Sequence, residues 1–441
     1  MTTRDSATGA AYALRDILPE ETTTKDGRLV IGGRDVAELA AEYGTPVQIF
    51  DEVGMRRGIR RLIDGLAERW PNSEVLFASK SLPLVAMYAL AASEGLSIDV
   101  AGEGELRLAL AAGVDPARIH LHGNAKSDAE ISLAVDSGVG TVIVDGPDDI
   151  RRLDRFVPEG RVQDVLIRVI PGVDAATHAT MQTGGHDSKF GLLPEQAHAL
   201  IEELRDHPRI HVEGVHLHIG SQILDETQFA DAVRQLRQFE GLETYDVGGG
   251  LGVAYTLDDV PPTVDAYLDA IVEAAREVLP EGAKLLIEPG RSVVARAGVT
   301  AYRVSTVKET SKRFVAIDGG LADLVDIGYM DLRVSTLVAE RADEEPDTIV
   351  QLVGRQCESG DVFMDDGRLH SPAIGDTVVA AATGAYSYTM TNNYNGALRP
   401  AVLFVANGVV RVAARRETYD EYLALHAPAL GVDWSAAPER A

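Results

Sequence analysis

The chain has 441 residues, 45% hydrophobic and 25% charged, an ordinary globular balance with material for two packed domains. Its formal net charge of −27 at pH 7 repels nucleic-acid phosphates and acidic membranes, so no nucleic-acid or membrane partner is expected. A single cysteine, Cys357, excludes an intramolecular disulfide and fits a reducing compartment.

The first twenty residues carry Arg4, Asp5, Arg15, Asp16 and Glu20, not the apolar core of a signal peptide. No run approaches the ~18 apolar residues that cross a bilayer, and the expected location is the cytoplasm. Gly27–Ile31 reads as a strand available to a later β-domain. From Val47–Asp51 a beat begins of short apolar strand, polar turn and amphipathic helix. Eight more strands follow: Val75–Lys80, Ser97–Gly102, Arg118–Gly123, Thr141–Asp145, Val165–Gly172, Val212–Ser221, Tyr245–Gly250 and Lys284–Gly290. Leu82–Glu94, Glu103–Ala112, Asp128–Asp136, Pro194–Asp206 and Val264–Leu279 place apolar residues at helical spacing between them. Eight such units predict a closed (β/α)8 TIM-type barrel of parallel strands, with a doubly wound open sheet as the rival.

After Arg291 the beat changes. Val299–Val307, Arg313–Asp318, Thr348–Val353 and Thr377–Thr383 alternate without good helices between them, and Ala401–Ala414 reads as a hairpin around Asn407-Gly408. The expected division is a barrel over residues 44–295 and an antiparallel β-domain built from 1–43 plus 296–441.

Barrel enzymes work at the C-terminal ends of their strands. The residues expected there are Lys80, Asp99, His122-Gly123-Asn124, Asp145, Arg168, His218-Ile219-Gly220-Ser221, Gly248-Gly249-Gly250 and Glu288-Pro289-Gly290-Arg291. Lys80 is a surface lysine or a Schiff-base lysine whose desolvated amine loses its proton readily. Glu288 is an ion-pair partner of Arg291 or a carboxylate that keeps a cofactor's pyridine nitrogen protonated. Gly248, Gly249 and Gly250 let backbone N–H groups approach a phosphate. His218 can lie flat on an aromatic ring; a zinc site with His216 lacks an obvious third ligand, and no metal is expected. Cys357 is a buried small hydrophobe or a proton donor beside Glu358, and Tyr386 is a β-domain core residue or a site residue.

Taken together these stretches resemble the diaminopimelate decarboxylase family, fold-type III enzymes dependent on pyridoxal 5'-phosphate (PLP). The likeness runs from about Leu39 to Leu425. It includes Phe77-Ala78-Ser79-Lys80, His122 to Ser127, Pro171 to Asp174, Asp187 to Gly191, His218 to Gln222 and Gly248 to Gly252. It continues through Glu288 to Arg291, Cys357 to Asp361, Gly384 to Tyr386, Tyr394-Asn395 and Arg399 to Ala401. The resemblance implies an amino-acid decarboxylase of lysine biosynthesis that works as a homodimer with active sites at the interface. It implies that Lys80 holds PLP, His218 stacks on it and Glu288 pairs with its nitrogen. Asp99 belongs to the same cofactor site. Ser221, Gly248, Gly249, Gly250, Gly290, Arg291 and Tyr386 would hold the phosphate. Arg291 would also face the substrate. Cys357 would return the proton and Glu358 contact the far amino group, both from a partner subunit.

One stretch departs from the family. Where members carry Ser-Asp-Asn-x-Arg-x-Ala-Leu-Tyr-Gly, this chain reads Ala322 to Asp331, with Asp326 in place of the arginine and Met330, next to Tyr329, in place of the tyrosine. Ala125 and the run Gly396-Ala397-Leu398 are smaller changes. The expectation is either diaminopimelate or another amino acid, the latter as in a paralogous decarboxylase, with Asp326, Tyr329 and Tyr386 at the substrate. A racemase would need a base on the opposite ring face, and a non-catalytic PLP-binding regulator would not need Cys357 and Tyr386 in an elaborate β-domain.

Overall fold

The computed structural model describes residues 9–172, 188–430 and 432; Val173, Asp174 and Asp187 of the family stretches lie outside them. Near the N-terminus β1 (Thr22–Lys25), β2 (Arg28–Ile31) and β3 (Arg34–Asp35) make a small antiparallel meander of their own. The strand expected at Gly27–Ile31 therefore exists but does not join the larger sheet. Its partners lie a few residues away in sequence, and local pairing closes far smaller loops.

The next strand, β4 (Val47–Asp51), is buried at every position. It is followed by β5 (Ser73–Ala78), β6 (Ser97–Val100), β7 (Ile119–Leu121), β8 (Thr141–Val144), β9 (Gln163–Arg168), β10 (Ile210–His216), β11 (Thr244–Asp246) and β12 (Lys284–Ile287). Strands β5 to β12 close into an eight-stranded barrel, each parallel to its neighbours, which removes the open-sheet alternative. The five expected helices form at Val85–Ser93, Glu103–Ala111, Asp128–Ser137, Pro194–Glu203 and Val264–Val278. Ser127 and Glu130 close a capping box at the start of the third.

Inside the barrel Leu76, Ile143, Leu166 and Leu286 form a buried cluster separate from the main core. Side chains alternate along a strand, so the residues two further on face the same interior: Ala78, Asp145, Arg168 and Glu288. The barrel thus changes from an apolar plug to a polar chamber within one pleat, at its C-terminal mouth.

The remaining strands are β13 (Gly298–Glu309), β14 (Arg313–Ile317), β15 (Thr336–Val338), β16 (Thr348–Val353), β17 (Val362–Leu369), β18 (Thr377–Ala380), β19 (Ala401–Ala406) and β20 (Val409–Ala414). Their sheet runs β17-β16-β14-β13-β4-β19-β20, with β18 pairing β13 and β15. It is mostly antiparallel, but β14 pairs β16 and β4 pairs β19 in parallel. The hairpin turn has Asn407 at φ 51° and Gly408 at φ 79°, the positive values a type I′ turn requires. Strand β4, which reads as the first beat of the barrel, lies instead between β13 and β19 in this second sheet. A strand buried on both faces has the same apolar signature in either place. Among the described residues no helix is long and apolar enough to cross a membrane.

Candidate active site

One cavity gathers Ala78, Lys80, Asp99, His218, Ser221, Gly250, Glu288, Gly290, Arg291 and Tyr386. Nine of these ten were marked in the sequence as site residues, and they come from strand ends spread over 300 positions. Strand β5 stops at Ala78, and Lys80 stands in the 3-10 turn Ser79–Ser81 that follows. The residue is exposed, and it lines the cavity. Burial of the amine disfavours its charge, but Tyr386, Asp99 and Glu288 outweigh that and hold its pKa above the ordinary lysine value.

Glu288 follows β12 and is buried. Its Oε2 lies 3.2 Å from His216 Nε2 and its Oε1 2.9 Å from His122 Nε2. The second contact is off the N–H direction, so Oε1 has no hydrogen-bonded partner among the described residues. Burial opposes ionisation of Glu288, yet the two imidazoles outweigh it and hold the carboxyl well below its usual range. Asp99 goes the other way: burial pushes it up to about 6, against the pull of His122. Asp246, also buried, is held well above its normal value by burial and by the charge of Glu288. Within the group the negative charge is therefore favoured on Glu288 over Asp246.

His218 accepts a hydrogen bond from Gly249 N–H at its Nδ1, 3.2 Å away, and burial followed by Lys80 drives its pKa well below normal. The ring is neutral and fixed in orientation. The glycines do different work from that expected of them. Gly248 N–H donates to Asp246 Oδ1 at 2.9 Å and Gly249 N–H to His218, and only Gly250 of the three lines the cavity. A Cβ on Gly249 would fall 2.0 Å from the Glu288 carbonyl oxygen, so that glycine is set by the packing of adjacent strand ends.

Arg291 donates to Ser221 Oγ at 3.3 and 3.2 Å and to the Tyr255 hydroxyl, and its guanidinium lies 4.6 Å from the Tyr386 ring centroid. Tyr386 adopts φ 64°, strained for a non-glycine residue, with its N–H bonded to Ser81 O at 2.8 Å. That bond ties the second sheet's domain to the barrel mouth. Tyr255 was not marked in the sequence: it stands five residues beyond Gly250 in an irregular loop, with no pattern to flag it.

The residues expected at the substrate are less assembled. Asp326 is buried in the short helix Asp326–Tyr329, its Oδ1 without a hydrogen-bond partner among the described residues. Burial raises its pKa and Arg291 draws it back. Arg333, the nearest basic residue in sequence, pairs with Asp331 at 2.7 Å and Asp365 at 3.4 Å. Tyr329 is 60% exposed. Cys357 and Glu358 are exposed and do not line the cavity; Cys357 N–H donates to Asn395 Oδ1 at 2.8 Å. On its own chain Cys357 is therefore exposed, not the buried small hydrophobe its residue type suggests.

Residues 56–295 match the family model for the pyridoxal-dependent decarboxylase, pyridoxal binding domain. The diaminopimelate decarboxylase of Bacillus subtilis is 39% identical, covering 91% of this chain and 96% of that protein. That of Mycobacterium tuberculosis is 37% identical over 93% and 97%. This chain belongs to the diaminopimelate decarboxylase family. It is a PLP-dependent carboxy-lyase, and its barrel-plus-sheet architecture is the family's. The M. jannaschii diaminopimelate decarboxylase in complex with L-lysine superposes with a TM-score of 0.86 at 30% identity, covering 92% of this chain and 98% of that one. The lysine/ornithine decarboxylase of Vibrio vulnificus complexed with putrescine gives 0.72 at 25% identity, over 86% and 100%.

The cavity suits the family's cofactor. It offers an amine on Lys80, a buried carboxylate oxygen at Glu288 Oε1 that lacks a donor, and a neutral ring at His218. Arg291, Ser221 and Gly250 add polar groups for a phosphate. His122, His216 and Glu288 also place three possible metal-ligand atoms within 4.8 Å of one another. The separations of 2.9 and 3.2 Å between them are those of polar contacts among the side chains themselves.

Proposed function

We propose that this enzyme removes a carboxylate from the α-carbon of a diamino acid, converting meso-diaminopimelate to L-lysine in lysine biosynthesis. The observation that carries the reaction class is the convergence of Lys80, His218 and the ionised Glu288 on one cavity. The curated relatives support the substrate. Bound PLP supplies an electron sink for the pair left on the α-carbon when CO2 departs. Lys80 would hold the cofactor through its side-chain amine. Glu288 would face the ring nitrogen and favour its protonated form. His218 presents its neutral ring to the cofactor. Ser221, Gly250, Gly290, Arg291 and Tyr386 hold the phosphate, with Gly248 and Gly249 shaping the turn behind them. Asp99 supports the charge on Lys80.

The proton returned to the α-carbon comes from Cys357, and Glu358 contacts the distal ammonium. Both are exposed on their own chain, which supports a homodimer in which each subunit completes the other's site. The single thiol supports a reducing, cytoplasmic setting.

Asp326 favours a second reading. A buried carboxylate near Arg291, where the family has an arginine, repels a distal carboxylate and accepts an ammonium. Tyr329, Tyr386 and Arg291 would then border a substrate with a cationic or neutral end. The test incubates the PLP-loaded protein with meso-diaminopimelate, lysine, ornithine, arginine and ω-substituted analogues, and follows CO2 loss by mass spectrometry. Preferred turnover of meso-diaminopimelate supports the first reading; preference for an analogue without a distal carboxylate replaces it with the second. No CO2 loss from any of them ends both.

A further inference from the structure

Glu288 lies among three carboxyl groups in a closed barrel, and the three behave differently. Asp99 and Asp246 are driven up while Glu288 is driven down. The geometric difference lies in the imidazoles. Both reach Glu288, at 2.9 and 3.2 Å, whereas His122 Nε2 approaches Asp99 only to 3.7 Å. We infer that His216 and His122 are positioning residues, His216 holding Glu288 Oε2 and His122 bracing the His216 ring beside Oε1, that keep the carboxylate toward the cavity, ready for a protonated ring nitrogen. The inference rests on the reading of Glu288 as the cofactor's partner.

Three observations fix the grip. His216 ends β10, in register with Arg168 on one side and Asp246 on the other, so its backbone is held by both neighbouring strands. The two rings pack edge to face, centroids 5.0 Å apart at 78°, so neither turns without displacing the other. His216 Nδ1 is buried without a partner, which leaves the ring proton on Nε2 as the donor to Glu288 Oε2. Burial supports this state by lowering the His216 pKa to about 4. With Oε2 occupied, Oε1 is the oxygen left for the cofactor.

The experiment uses the full-length enzyme and compares His216→Leu and His122→Leu, which remove the ring nitrogens, with His216→Gln and His122→Gln, which keep a side-chain N–H. Each is measured for PLP affinity of the apoenzyme, for the absorption band of bound PLP against pH, and for kcat and KM separately. Outer partners of this kind change affinity or activity by about 10–100-fold when removed. The leucine variants should lose affinity and kcat on that scale with KM nearly constant, and the glutamine variants should recover most of it. Leucine variants that melt like the wild type and keep its affinity and spectrum overturn the inference. Glu288→Gln separates the two layers: if it too leaves affinity and spectrum unchanged, the reading of Glu288 itself fails. Should the leucine variants not fold, 15N NMR of wild-type histidines decides. A proton on His216 Nε2 at pH 7 supports the grip, and one on Nδ1 overturns it. Stoichiometric metal in the purified enzyme, lost in either leucine variant, also overturns it.

Discussion

The two ends of the proposed site, one for the cofactor and one for the substrate, are built on opposite terms. The cofactor end is held by barrel strand ends, with each group pinned: Glu288 by two histidines, His218 by Gly249, Arg291 by Ser221 and Tyr255. The substrate end draws on a four-residue helix at Asp326–Tyr329 and an exposed turn at Cys357-Glu358. Chemistry common to a whole family needs rigid placement, which parallel strands in register provide. Groups that select a substrate sit on loops, which change without disturbing the barrel.

The sharpest way to break this contrast is at Lys80. Lys80→Ala should lower kcat by on the order of 10⁴-fold, the upper range for losing a group that carries protons and bonds at the reaction centre. It should also abolish the borohydride-fixable link to PLP. Peptide mapping that finds the link on another lysine would sink the assignment.

Next in size is the division of labour between subunits. Cys357→Ala should lose activity, and mixing it with Lys80→Ala should restore about a quarter of the wild-type sites, because half the dimers are hybrids with one intact site. Proven hybrids without activity would show that each chain completes its own site.

Asp326→Arg tests the substrate end alone. One charge contact at ~4 Å and an effective dielectric near 20 amounts to about 4 kcal/mol before desolvation. The substitution should shift kcat/KM toward meso-diaminopimelate relative to ω-amine analogues while leaving PLP affinity unchanged. An unchanged ratio would remove Asp326 from substrate selection.

The smallest effect sharpens the cofactor end. His216 has a folded pKa of about 4 against an ordinary value of 6.5. The unfolded chain therefore binds the extra proton between these values, and wild-type stability falls as pH drops from 6.5 toward 4. At 1.36 kcal/mol per pKa unit the loss reaches about 3 kcal/mol. His216→Gln lacks this term, so its melting temperature relative to the wild type should rise over that interval. A pH-independent difference would contradict a buried, neutral His216.

The same contrast explains what could be read without coordinates. The barrel was legible because its strands and several helices repeat a simple beat. Most of the residues that line the cavity were legible because they stand at or near barrel strand ends, where position in the beat predicts position in space. The helix Glu52–Arg69 escaped notice, its apolar stripe diluted by Gly54, Gly58 and Gly65 and by a run of arginines. The His122–Glu288–His216 arrangement joins three different strands, and nothing local in the chain marks which carboxylate the imidazoles meet. Cys357 stood out as the single thiol, beside Glu358, but only the family resemblance implied a substrate contact for Glu358 and a place for both in a partner's site, since an exposed turn has no pattern of its own.

The position of β4 sets a schedule for the growing chain. Its sheet partners begin at Gly298 and Ala401, while β4 itself ends at Asp51. At ~5–20 residues per second of synthesis, this apolar strand waits roughly 12–50 seconds before its first neighbour is made. The entire barrel emerges from the ribosome in that interval. Completing the barrel therefore leaves an adhesive ribbon hanging from its N-terminal side, and the nascent protein depends on something else to keep that ribbon from pairing with a stranger.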